Sequence, residues 1–109
     1  LSNELIDLLP EDALKLARQD VVTALEARIE SGDRQAIMDF ALFHLKLAEE
    51  PDYETSYLWY SIGAAFLLEG AIIARDDVKD YVELKSIMDI QNKASDTFDR
   101  LAAITPANL

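Results

Sequence analysis

The chain has no cysteine, one histidine, one tryptophan, three glycines and three prolines among 109 residues. Without thiols it forms neither a disulfide nor a thiolate metal centre, and its redox compartment leaves no trace in the sequence. A lone histidine, His44, excludes the paired-imidazole helical zinc motif. So few glycines and prolines leave few places to turn, which favours long helices over many short strands. Basic residues are scarce too: ten Lys and Arg stand against 21 Asp and Glu, a net charge of −11. With no cluster of Lys or Arg, a nucleic-acid backbone is repelled rather than held, and an anionic membrane surface is disfavoured for the same reason. The longest apolar run, Ile62 to Leu68, is cut by Glu69 and is too short to span a bilayer. The chain opens on Leu1 rather than Met and shows no signal-peptide pattern, so it reads as trimmed or processed and is uninformative about export.

What remains is apolar and periodic. Half the residues are hydrophobic, which argues against disorder, and the length suits one domain with a single core. Leu5, Ile6, Leu8 and Leu9 read as a short apolar lid. Pro10, Glu11 and Asp12 then open a helix whose apolar stripe is Leu14, Ala17, Val21, Leu25 and Arg28 or Ile29, ended by a left-handed Gly32. A second helix runs from Asp33 to about Glu49, with Ile37, Phe40, Ala41, His44, Leu45 and Ala48 on one face, until Pro51 breaks it. Asp52 caps a third, carrying Tyr53, Ser56, Trp59, Tyr60, Gly63, Ala64 and Leu67. A turn near Leu68–Gly70 leads into a fourth helix through Ala71, Ala74, Arg75 and Val78. A fifth, from about Glu83 to Ala102, repeats Leu84, Ile87, Met88, Gln91, Ala94, Phe98 and Leu101 at spacings of three and four. The expected fold is therefore all-α, with about five antiparallel helices joined by short turns.

The third helix, DYETSYLWYSIGAAFLLEGA from Asp52 to Ala71, resembles the second helix of the Sel-one-like repeat, a relative of the tetratricopeptide repeat. That helix reads D-Y-x-x-A-x-x-W-Y-x-x-A-A-x-x-G-x-x-x-A. Asp52, Tyr53, Trp59, Tyr60, Ala64 and Ala71 match it, while Ser56, Gly63 and Leu67 depart from it. Leu67 stands in place of the turn glycine, which suggests that the helix runs on toward Gly70. In the preceding helix, Ala36 alone matches the family's A-x-x-x-L-G-x-x-Y; His44 takes the tyrosine's place, and the glycine-free loop suggests extension through Glu50. The resemblance covers about residues 24 to 98 and implies a right-handed stack of helix pairs. The chain is read as a single helical-repeat domain over 1–109, with a degenerate N-terminal helix and cap over 1–32, the best-matching repeat over 33–70, a closing helix pair over 71–102, and a tail over 103–109. It also implies an adaptor, inhibitor or scaffold, since such arrays make binding surfaces.

No arrangement of catalytic groups stands out. Ser56, Ser61, Ser86 and Ser95 lack a nucleophile elbow and a usable base, and the carboxylates occur in solvated clusters rather than in contrasting environments. No catalytic residue, metal ligand or cofactor is assigned. Trp59, Tyr60, Ala64, Ala71, Phe40 and His44 are expected in the core. Arg75 is expected to be structural, its stem packed among Ala71, Ala74 and Val78 and its guanidinium paired with a carboxylate, with anion binding as the alternative. Residues off the core stripes are the expected partner surface: Phe43, Lys46, Leu47, Glu49, Glu50, Glu54, Tyr57 and Phe66, an apolar patch with a charged rim.

Charge sharpens that expectation. No Lys or Arg occurs between Lys46 and Arg75, while Glu49, Glu50, Asp52, Glu54 and Glu69 do. A second acidic group follows at Asp76, Asp77, Asp80 and Glu83. The function this predicts is a non-enzymatic protein–protein interaction module, an adaptor or an immunity or inhibitor protein for a basic partner, set in a bacterial cytoplasm or periplasm. The alternative is a module that self-associates as a homodimer through the open end of its stack.

Overall fold

Helix α1 (Glu11–Glu30) stops where Gly32 takes a φ of 93°. The Asp33 amide then donates to the Arg28 carbonyl at 3.0 Å, and the Gly32 amide to that of Ile29 at 3.1 Å, satisfying carbonyls that the helix end leaves open. Residues 11–105 are described, in a computed structural model; the lid assigned to Leu5, Ile6, Leu8 and Leu9 lies outside them. Only the C-terminal half of α1 is anchored in the core, by Leu25 and Ile29. Val21, expected on the buried stripe, is exposed, and Val22 packs on the core instead.

Helix α2 (Gln35–Leu42) continues into one π-helical turn, Phe43–Leu47, closed by the Ala48 amide on the Phe43 carbonyl at 2.9 Å. Ala48 is already extended, so the helix ends at Leu47, short of the expected Glu49 or Glu50. The wide turn leaves the His44 carbonyl open, and the Asp52 amide folds back onto it at 2.9 Å.

Asp52 caps helix α3 (Tyr53–Ala65) as its position predicts. Its carboxylate accepts from the Thr55 amide at 3.0 Å and from the Thr55 hydroxyl at 2.7 Å. The helix does not run on to Gly70. Leu67 adopts a φ of 59°, with its amide on the Ala64 carbonyl and the Leu68 amide on that of Gly63, both at 3.0 Å. This is the hydrogen-bond pattern that usually employs glycine, achieved here by leucine at some cost in strain. Gly70, at a φ of 79°, starts helix α4 (Ala71–Lys79), and helix α5 (Leu84–Ala102) follows. The described residues are thus helical throughout, with no strand.

Helix α3 is the hub, packing against α2, α4 and α5, while α1 packs on α2. This surround explains why α3 is buried on almost every side, with Ser56, Tyr57, Tyr60, Ile62, Gly63 and Ala64 all enclosed. At Gly63 a Cβ would lie 2.9 Å from the Met38 Sδ and 3.4 Å from the Ala71 Cβ, so a larger residue there would displace the Met38 side chain. Helices α4 and α5 each take α3 as their main neighbour, so residues 71–102 splay apart over it rather than closing on each other. One apolar cluster joins Leu25, Ile29, Phe40, Phe43, Ile62 and Leu101; another joins Ala41, Tyr57, Tyr60, Val78, Val82 and Ile90. Leu58 and Trp59 touch both.

Candidate functional site

Phe40, Tyr60, Ala64 and Ala71 are buried, and burial raises the pKa of the Tyr60 hydroxyl. Trp59 is half-buried, its ring edge-on to Phe40 at 5.2 Å. His44 lies between Phe40 and Phe43, at ring distances of 4.7 and 5.3 Å, and its buried Nε2 finds no partner among the described residues. Desolvation lowers its pKa, partly opposed by Asp52 and Glu26. Arg75 does pair with a carboxylate, but with that of its neighbour Asp76, at 3.1 Å.

Three residues leave the expected partner surface. Phe43 and Tyr57 are core side chains, 5% and 1% exposed. Phe43 belongs to the core because α2 is covered by α1 on one side and α3 on the other; Tyr57 does because α3 is enclosed by three helices. Phe66 is half-buried and structural: its ring lies 4.6 Å from Phe98, with the Arg34 guanidinium 4.2 Å above it. Arg34 also donates to the carbonyls of Leu101 at 3.1 Å and Ile104 at 3.0 Å, binding the start of α2 to the end of α5. Its side chain gives no periodic signal, and sequence reasoning passed over it.

Lys46, Leu47, Glu49, Glu50 and Glu54 remain exposed. Beside them the fold builds a feature that no single segment announces. Tyr53, in the first turn of α3, stacks on Tyr81, in the turn after α4, with centroids 4.8 Å apart and planes 15° from parallel. Tyr81 is 67% exposed. The pair borders a groove of about 400 Å³ whose walls include Leu45, Lys46, Pro51, Asp77 and Val78. The two acidic segments, separate in sequence, thereby meet at the stack: Glu50, Asp52 and Glu54 neighbour Tyr53 in the chain, while Asp77 lines the groove and Asp80 precedes Tyr81; Glu49 lines a separate hollow with Lys15 and Arg18. Lys46 is the one cation lining the groove. The exposed Tyr81 ring, backed by the half-buried Tyr53 and close to several carboxylates, suits a guanidinium or ammonium group, attracted by the open ring face and by the nearby charge.

No group of three or more His, Cys, Asp or Glu among the described residues could hold a metal ion, and no described helix is long and apolar enough to cross a membrane. No family model matches the chain, and neither does any curated protein or solved structure.

Proposed function

We propose that the protein is a non-enzymatic interaction module that takes a basic segment of another protein on the face formed by Tyr53 and Tyr81. The stack of exposed Tyr81 on half-buried Tyr53, between two acidic segments, carries this reading. A net charge of −11 supports it by favouring fast, steered encounter with a cationic partner. The sequence resemblance supports its finer form: a Sel-one-like stack serving as adaptor, or as an immunity or inhibitor protein, in a bacterial cytoplasm or periplasm. In that form the matching positions build the scaffold, and recognition belongs to the loop after the π turn and to the end of α4.

Titration with an arginine-rich peptide, followed by NMR, tests the proposal. Shifts are expected at Tyr53, Tyr81 and the loop of residues 48–52, with binding weakened by salt and by each of Tyr81→Ala, Asp77→Lys and Glu50→Lys. Binding that ignores all three substitutions sinks the assignment. A second reading, self-association, draws on the exposed Ile73, Leu84 and Met88 along α4 and α5. Light scattering that reports a monomer at all concentrations removes it.

A further inference from the structure

The splay of α4 and α5 opens a second cleft of about 290 Å³, lined by side chains of α3, α4 and α5. Tyr57, Ser61 and Ala65 of α3 form its floor, Arg75 stands on the α4 wall, and Gln91, Ser95 and Phe98 stand on the α5 wall. In a chain with 21 carboxylate side chains, none lines this cleft, and its one charged group is a cation.

The hydrogen bonds already made there decide what else it can hold. Arg75 donates from Nε and Nη2 to Asp76 at 3.1 Å, which leaves Nη1 without a partner among the described residues. The Gln91 amide donates to the Tyr57 hydroxyl oxygen at 3.3 Å, so the phenolic proton stays available to donate. The Ser61 hydroxyl is committed to the Tyr57 carbonyl at 2.7 Å, whereas the Ser95 hydroxyl has no partner among the described residues. Apart from the Gln91 side-chain carbonyl, an open acceptor, the uncommitted groups are donors, gathered around the free edge of a guanidinium that Asp76 pairs on its other side and next to an aromatic wall. Such a set matches an anion with two acceptor oxygens and a small apolar substituent.

We infer that this cleft binds a small carboxylate, with the carboxylate on Arg75, Tyr57 and Ser95 and its apolar part against Phe98. The volume is at the small end of ligand sites and suits an acid of this kind. The inference stands apart from the basic-partner face, which shares none of these residues, so either can fail without the other.

Titrating the intact chain with sodium benzoate, followed by amide NMR, provides the test. Saturable shifts are expected at Ser61, Arg75, Gln91 and Ser95, with benzamide binding far more weakly. Arg75→Gln weakens benzoate about tenfold or more, as loss of a charge-assisted hydrogen bond requires. Ser95→Asp places a like charge on an exposed position of α5 and abolishes binding without endangering the fold; circular dichroism checks both variants. A tripeptide with a free C-terminal phenylalanine, run against its amidated form, identifies the source. Competition by the free form alone points to a chain terminus, and lack of competition points to a free acid; either satisfies the inference, given benzoate binding. The absence of a saturable shift at about 10 mM benzoate overturns it. Equal binding of benzamide, or binding untouched by both substitutions, does the same.

Discussion

The rings of Tyr53 and Tyr81 stack 4.8 Å apart and 15° from parallel, holding the start of α3 against the turn that follows α4. An aromatic pair of this geometry contributes about 0.5–1.5 kcal/mol beyond the area it buries. A double-mutant cycle with Tyr53→Ala and Tyr81→Ala, read by urea unfolding, is expected to return a coupling in that range. Additive losses would mean that the rings do not interact in solution. Such a result would also remove the preformed aromatic surface on which basic-partner binding rests.

Leu67 holds a left-handed backbone conformation while 85% of its surface is exposed. An L-residue there sacrifices roughly 1–2 kcal/mol, and its exposed side chain returns little through packing. Leu67→Gly is therefore expected to stabilise the protein by about 0.5–1 kcal/mol, after the larger entropy loss of glycine on folding is deducted. Leu67→Ala keeps the strain and shows no such gain. Thermal melts of both variants make the comparison; a lower melting temperature for the glycine variant would show that the turn is not strained.

Local signals were the legible ones. Gly32, Asp52 and Gly70 each act within a few residues, and each ends or begins a helix where it stands in the sequence. Stripes were legible only where a helix has one covered face. Helix α3 has three neighbours, so its off-stripe Tyr57 is as enclosed as its signature Tyr60. Phe43 was misplaced because α2 is covered on two sides and ends in a π turn, neither of which a 3.6-residue period expresses. The residue type of Leu67 argues for continuing the helix, while the backbone turns there regardless. The tyrosine stack, the Arg34 bracket and the donor-lined cleft join residues far apart in the chain. Half of each is visible in any one segment, and neither half carries a pattern.

Ser56 lies in the first turns of α3, close after the Asp52 cap. It is 0% exposed, and its Oγ has no hydrogen-bond partner among the described residues. A buried hydroxyl without a partner loses its hydration for no return. Ser56→Ala removes that penalty with little change in volume and is expected to gain about 1 kcal/mol. A rise in the urea midpoint at constant slope is the readout. A fall would mean that Ser56 has a partner in solution.

His44 links stability to pH with a definite sign. Desolvation by Phe40, Phe43 and their neighbours depresses its pKa below the ordinary 6.5, although Asp52 and Glu26 pull the other way. The unfolded chain therefore takes up this proton more readily than the folded one. The stabilisation is fully present above the unfolded value and is lost as pH falls through 6.5 toward the folded value. Asp33 acts in a separate, lower window: hydrogen bonding from Arg28 depresses its pKa below the ordinary 3.8, so its contribution fades only in stronger acid. Unfolding free energy is thus expected to decline as pH falls through 6.5, with His44→Gln flattening that slope. NMR titration of the imidazole supplies the independent check, since a midpoint above 6.5 would reverse the sign and place the ring in a charged, hydrated setting.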